Sequence, residues 1–255
     1  MRNLLFVVTH KKDYFIPKLE MYKSIAVGPN KNQIESDYRD DKNIEIPNKN
    51  PNYCELTAQY WIWKNLNGKY DNYGLCHYRR YFANSVLHRF SILKENRLNS
   101  LLNTYDIILP KQWYWNIKVK EMYYDVGQGK KKDLEMTREA IKNLYPEYLG
   151  DFDKIVNDKK ASYCNMFITN HKNFENYSEW LFNVLSYVEH RTDLTDYTVA
   201  EARIYGYLSE ILLNVWVEHN NLRVKYLPMV EIEQSKSAQL KNDIIYLKRK
   251  VLPKD

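Results

Sequence analysis

The sequence predicts an α/β fold, a central and mainly parallel sheet flanked by helices, and three observations carry that expectation. Short β-branched runs alternate along the chain with stretches whose apolar residues recur at helical spacing. Hydrophobic residues make up 44% and charged residues 27% of 255 positions, as in a folded domain rather than a disordered chain. Only 7 Gly and 8 Pro are present, which excludes collagen-like, linker-like and Gly-rich phosphate-loop chains. The longest apolar run, around Ile211–Val217, is broken by Asn214, well short of the ~20 residues of a membrane-spanning helix.

Asn3–Val8 reads as a buried strand that ends in Thr9-His10-Lys11. A second strand, Ser24–Val27, stops at Gly28-Pro29. Residues 30–52 are polar, with Asp37, Asp40 and Asp41, and form a loop. Asn52 with Glu55 three positions on has the spacing of a capping box, opening a helix through Thr57 to about Asn65. Tyr73–His77 and Tyr105–Leu109 are further strands, the latter closed by Pro110. Lys111–Lys132 is irregular and aromatic-rich; it suits a mobile lid and a solvated loop equally. Asp133 caps a helix to about Leu144, which Pro146 ends, and Ser162–Thr169 is a strand. Phe174, Tyr177, Leu181, Val184, Leu185 and Val188 then form one apolar helical stripe. Asp196 or Thr198 opens a helix to about Glu218, and Val224–Leu227 is a last short strand.

Residues 1–230 form one domain, and 231–255 a basic C-terminal tail. In that tail Leu240, Ile244, Leu247 and Val251 share a helical face among Lys241, Lys248, Arg249 and Lys250. Such a helix fits an anionic membrane surface, and equally a packing site on its own domain. The three cysteines, Cys54, Cys76 and Cys164, are odd in number and far apart, which argues against a disulfide framework or a zinc cluster. The N-terminus has an apolar core of five residues and no small-residue cleavage site, so no signal peptide is expected. A reduced, cytoplasmic chain is the expectation.

Thirty-eight Lys and Arg against 32 Asp and Glu give +6, a modest excess that suits an anionic small molecule or membrane surface. The basic residues are dispersed and no RNA-binding aromatic motif is present, so nucleic acid is not expected as a partner. The 23 Tyr and 6 Trp could seat a base or a sugar face; they also fit the codon bias of an AT-rich genome.

Four groups of residues could carry chemistry. In Gly74–Phe82 (GLCHYRRYF) a strand leads straight into His77, Tyr78, Arg79 and Arg80. Adjacent guanidiniums repel unless an anion or carboxylates neutralise them, so they form either a diphosphate clamp or structural salt bridges. On the helix after Asp196, Arg203, Gly206, Tyr207, Glu210 and Asn214 share one face, opposite Ile204, Leu208, Ile211, Leu212 and Val215. Glu210, between apolar runs, is a general base or the buried partner of an arginine. Asp193 and Asp196 could take a proton from an attacking hydroxyl or cap the helix. Thr9, His10 and Lys11, with Asn50, Glu55 and Thr57, follow the first strand, where a nucleotide sits in such folds. There is no Walker loop, G-x-G-x-x-G, G-x-S-x-G, or Cys/His metal spacing.

Several segments, in order, resemble one bacterial family: VVTHK at 7–11, IAVG at 25–28, KNPNYCELTAQYWIWKN at 49–65, GLCHYRRYF at 74–82, NMFI at 165–168 and RIYGYLSEILLNVW at 203–216. Together they are similar to domain-of-unknown-function family 4422, found among capsule, exopolysaccharide and O-antigen synthesis proteins. The resemblance implies a GT-A-like glycosyltransferase that uses a UDP-sugar, with galactose in pyranose or furanose form as donor. The implied acceptor is a lipid-diphosphate-linked oligosaccharide, at the inner face of the plasma membrane. Thr9, His10 and Lys11 would border the nucleotide, and Gly28 would let the chain approach it. Asn50, Glu55 and Thr57 lie in a family motif without individual roles. His77–Arg80 occupies the place where many GT-A enzymes keep a metal-binding Asp-x-Asp. Arg79 and Arg80 are therefore expected to replace the ion, and no cofactor is required; Mn or Mg held through His77 is the alternative. Asn165 would sit near the donor sugar, with Asp193 or Glu210 as base for an inverting reaction. A non-catalytic nucleotide- or sugar-binding assembly protein of the same pathway is the rival expectation.

Overall fold

A computed structural model describes residues 1–41, 46–66, 68–88 and 90–251. In chain order its strands are β1 (Asn3–Thr9), β2 (Tyr22–Ala26), β3 (Tyr38–Arg39), β4 (Asn72–His77), β5 (Arg80–Phe82), β6 (Ile107–Pro110), β7 (Trp113–Tyr114), β8 (Lys160–Ala161), β9 (Phe167–Asn170), β10 (Val224–Leu227) and β11 (Met229–Glu231). Its helices are α1 (Asn50–Tyr53), α2 (Leu56–Leu66), α3 (Glu95–Leu102), α4 (Val119–Glu121), α5 (Lys131–Leu144), α6 (Leu149–Asn157), α7 (His171–Glu189), α8 (Ile204–His219) and α9 (Lys236–Val251).

Among the described residues nine strands form one mixed sheet, with the path β10-β6-β9-β4-β1-β2-β3. The half from β3 to β4 is parallel, as is the β10–β6 pair. Strand β9 runs against both β4 and β6, and a β5–β11 ribbon hangs antiparallel from β4. The expected central parallel sheet is present, with β9 reversed inside it.

All of β1 is buried, because both sheet faces are covered. Its period of two sends Leu4, Phe6 and Val8 to the face packed by α2, α5, α6, α7 and α8. Leu5 and Val7 point to the other face, under α3 and the ribbon residues Tyr81, Phe82 and Val230. Each fully buried Leu, Val or Phe stabilises the fold by about 1.5–3 kcal/mol. The α7 stripe is buried as its spacing predicts, and Gln59 Nε2 donates to Ser178 Oγ (3.1 Å) to fix α2 on α7.

Three local expectations need correction. The Asn52–Glu55 capping box does not form: α1 ends at Cys54, whose φ of 53° breaks the helix, and Asn52 Nδ2 donates to Ala202 O instead (2.7 Å). Residues 162–169 are not one strand, since Cys164 (φ 81°) and Asn165 (φ 48°) make a turn before β9. Strand β4 ends at His77 as expected; beyond it the chain reverses at Tyr78-Arg79, and Arg80 pairs back with His77. Lys111–Lys132 is neither a bare loop nor an unanchored lid. It contains β7, paired with β8, then α4 and a π-helical turn at Met122–Val126. Buried Asp133 anchors it, accepting from Lys130 N (2.7 Å), Tyr123 Oη (3.0 Å) and Tyr197 Oη (2.5 Å).

The helix expected to open at Asp196 or Thr198 starts later, at Ile204, after a 3-10 turn at Glu201–Arg203; Thr198 N–H and Oγ exchange hydrogen bonds with Glu201 ahead of that turn. The tail is helical, as α9. Leu240, Ile244 and Val251 are exposed, and Arg249 sits 5.2 Å from the Trp115 ring centroid. The side chains of Leu247 and Lys250, residues 42–45 of the polar loop and residues 252–255 of the tail lie outside the described residues.

Candidate active site

The carboxyl ends of β1, β2 and β4 open into a cavity of about 450 Å³, the crevice where open α/β sheets bind ligands. Its lining draws together residues from six separate stretches of sequence. Val8 and His10 follow β1, Val27, Pro29 and Asn30 follow β2, and Asn50, Pro51, Cys54 and Glu55 come from the α1–α2 break. His77, Tyr78, Arg79 and Arg80 form the reversal after β4, Cys164 comes from the turn before β9, and Arg203 and Glu210 from α8.

The β1–β2 side is shaped by backbone. Gly28 has φ 86°, and a Cβ there would stand 3.1 Å from Asn50 Oδ1, so the chain passes this close only as glycine. Asn50 Nδ2 donates to Cys54 O (2.7 Å) and to Thr57 Oγ (3.2 Å), and Thr57 Oγ donates in turn to Cys54 O (3.2 Å). These bonds hold the strained Cys54, whose conformation aims Glu55 at the cavity. Asn50 and Thr57 thus act first on the shape of the wall. Thr9 is fully buried and closes its own turn, accepting from Lys11 N (3.1 Å); neither Thr9 nor the exposed Lys11 lines the cavity.

Cations crowd one wall. His10 packs edge-on against Tyr78 at 5.2 Å, and its pKa is lowered by burial and then by Lys11, Arg79, Arg203 and His77. Exposed Arg79 lies 3.6 Å from Glu233, and Arg80 Nε lies 3.8 Å from Glu231, which faces it across the β5–β11 pair. Both separations exceed hydrogen-bond length, and the buried Arg80 Nε has no hydrogen-bond partner. Sequence reasoning missed these two carboxylates; the alternating Glu231-Ile232-Glu233 was the available signal.

The floor is held by the Cys164–Asn165 turn. Cys164 N donates to Glu210 Oε1 (2.9 Å), and Cys164 O accepts from His77 Nε2 (2.6 Å). Asn165 Nδ2 donates to Glu55 Oε1 (2.7 Å) and to Gly206 O (2.9 Å), while its Oδ1 accepts from Ser209 Oγ (2.9 Å). Asn165 is only 3% exposed, so it braces the floor from behind. Burial, then the neighbouring Glu55 charge, raises the Glu210 pKa to about 8, against the opposing effects of the Cys164 N–H, Arg80 and Arg203. Burial likewise lowers His77, although Glu55 pulls the other way. The Cys54 and Cys164 thiols, absent from the expected site, are pushed up to about 11 and about 12 by burial, which makes them poor nucleophiles. Arg203 Nε lies 3.2 Å from Cys54 Sγ.

Two expectations fall outside this assembly. Asp193 is exposed, does not line the cavity, and accepts from Thr195 N (2.9 Å) and Thr195 Oγ (2.6 Å), which closes a local turn. Among the described residues no three His, Cys, Asp or Glu side chains are grouped as a metal site, and His77 commits its Nε2–H to a carbonyl. No Asp among the described residues lines the cavity beside His77.

Comparison with known proteins adds three findings. No curated protein matches the chain. The chain is similar to a solved apo structure described as the bifunctional glycosyltransferase WbbM, at 28% identity and a TM-score of 0.83; the match covers 92% of this chain and 46% of that one. The chain thus spans about half the length of that neighbour. The family model described as "Domain of unknown function (DUF4422)" matches residues 4–221, and by that match over most of its length the chain belongs to the DUF4422 family.

Proposed function

We propose that the protein is a GT-A-like glycosyltransferase that moves a sugar from a UDP-sugar to a hydroxyl of a lipid-linked oligosaccharide in surface-polysaccharide synthesis. Galactose, in pyranose or furanose form, is the proposed donor sugar. The observation that carries this reading is the cation-lined cavity at the strand carboxyl ends, where Arg79 and Arg80 lack tight carboxylate partners. The likeness to a bifunctional glycosyltransferase supports it.

The leaving group of such a transfer is a nucleoside diphosphate, whose charge grows as the glycosidic bond breaks. Guanidinium forks fit phosphate oxygens bidentately, and preorganised donors aimed at developing charge are worth several kcal/mol. Arg79, Arg80 and Arg203 therefore take the diphosphate, in place of a divalent ion. His10 and Tyr78 border the nucleoside beside Gly28 and Asn30. The acceptor's proton goes to a carboxylate of the cavity floor rather than to Asp193, which lies outside the cavity. The exposed Leu240, Ile244 and Val251, with Lys241, Lys248 and Arg249, support a role for α9 at the anionic inner surface of the membrane.

The test is calorimetric titration with UDP alongside transfer assays over a panel of UDP-sugars, with and without EDTA. Losing one charge-assisted hydrogen-bonding group costs about 1.5–3 kcal/mol, so Arg79→Ala and Arg80→Ala are each expected to weaken UDP about 10- to 100-fold. Transfer is expected to persist in EDTA. Complete loss in EDTA that manganese restores would refute the arginine clamp. UDP binding without transfer to any acceptor would favour a non-catalytic binding protein.

A further inference from the structure

We propose that Glu55 is the catalytic base of this cavity, and that Asn165 is its positioning residue. The inference rests on the glycosyl-transfer reading and assigns the step that reading leaves open.

Two carboxylates line the cavity, and their surroundings separate their roles. Glu210 lies at the base of the floor, with Oε1 committed to the Cys164 N–H. Burial and the adjacent Glu55 raise its pKa to about 8, which favours the neutral acid and makes it the poorer proton acceptor of the two. Glu55 is half-buried and enters the floor directly after the Cys54 break. Its Oε1 accepts from Asn165, and among the described residues its Oε2 takes no hydrogen bond.

The Asn165 amide has one workable orientation. Its Nδ2 faces two acceptors, Glu55 Oε1 and Gly206 O, while its Oδ1 faces the Ser209 hydroxyl, whose single proton is shared between Oδ1 and Gly206 O. A flipped amide would turn Oδ1 onto a carboxylate and a carbonyl, with two acceptors apposed in each contact. Asn165 is therefore a fixed donor that pins one carboxylate oxygen and leaves the other toward the cavity. The groups facing Glu55 from the packed elements are His77 of β4, Cys54, Cys164 of the turn, and Arg203, Tyr207 and Glu210 of α8. The Glu55 charge acts on each of them, which places it at the centre of the floor.

The step balances with these groups alone. The acceptor hydroxyl oxygen bonds to the anomeric carbon as its proton passes to Glu55 Oε2. The bond from that carbon to the β-phosphate oxygen breaks, and its electron pair leaves with UDP beside Arg79 and Arg80. A base that acts directly on the acceptor makes this a single displacement, so the product has the anomeric configuration opposite to the donor's.

The experiment compares the wild type with Glu55→Gln, Glu55→Ala and Asn165→Ala, using UDP titration, turnover and NMR of the product anomer. Glu55→Gln keeps an amide oxygen for Asn165 and is expected to bind UDP within about twofold of wild type. Its turnover should fall about 10²- to 10⁴-fold, the usual contribution of a general base. Added formate should restore part of the turnover of Glu55→Ala, a rescue that a purely structural residue does not show. Asn165→Ala should lower kcat about tenfold, by the looser placement of the base, and leave UDP affinity unchanged. Wild-type turnover in Glu55→Gln, loss of its UDP binding in step with turnover, or a product of retained configuration would overturn the assignment. If the wild type itself neither binds UDP nor transfers a sugar, it is the glycosyl-transfer reading that fails.

Discussion

Glu210→Gln should change how stability depends on pH, and the structure gives both sign and size. Burial at the cavity floor favours the neutral acid, so the folded protein keeps a proton to about pH 8 that the unfolded chain releases near its ordinary value of 4.5. Between those values the unfolded state binds fewer protons than the native one. Stability is therefore fully present at the acid end of the window and falls as the pH rises through it. Each pH unit removes about 1.4 kcal/mol, an upper bound of about 5 kcal/mol across the window. The cavity is open to water, which screens the group, so a loss of about 1–3 kcal/mol is expected. Glutamine keeps the acceptor for the Cys164 N–H and cannot ionise. Urea unfolding of both proteins at steps from about pH 5 to about pH 9 should give curves that are close at the acid end and diverge toward alkaline pH, with the variant the more stable. In thermal melts the same gap amounts to about 2–4 °C for each kcal/mol. Parallel curves across the range would show that Glu210 is not desolvated in the folded protein, and the separation of roles between the two floor carboxylates would go with it.

Two backbone substitutions test the frame around the cavity. Gly28→Ala places a Cβ 3.1 Å from Asn50 Oδ1 at a φ of 86°; it should cost about 1–2 kcal/mol in chemical denaturation and weaken UDP by displacing the wall, and unchanged affinity would separate that turn from the nucleotide site. Gly74→Ala tests packing alone: its Cβ would meet Ile168 Cγ1 at 2.9 Å and Leu5 Cγ at 3.0 Å inside the sheet, so a loss of about 1–3 kcal/mol is expected from denaturation, and a neutral result would mean that β4 and β9 can separate freely.

Most of the frame was legible because its signals are local. The unbroken LLFVV of β1, the stripe of α7 and the two faces of α8 each follow from burial acting on one period. His77–Arg80 and Glu210 stood out because charge beside apolar residues needs a partner. What stayed hidden depends on contacts between distant segments. Cys54, Cys164 and Asn165 adopt left-handed backbone without being glycine, and nothing near them in sequence announces it. Cys54 is held there by Asn50 and Thr57, Asn165 by Glu55, Gly206 and Ser209. The Asn52–Glu55 spacing misled for the same reason: Ala202 and Asn165, far along the chain, claim the two side chains that a capping box would have used. Asp193 looked free only because the turn it makes with Thr195 is not visible from composition.

The two-residue turn ahead of β9 ties together parts that would otherwise be independent. Through it a strand-end imidazole, a carboxylate beyond a broken helix and another carboxylate in mid-helix share one piece of backbone. Non-glycine residues in that conformation cost about 1–2 kcal/mol each, so the hub stays taut only while its anchors on α8 remain in place. The bottom of the crevice consequently behaves as a single stiff plate, and the freedom needed to admit and release ligands falls to its margins, where Arg79 and Arg203 stand in solvent.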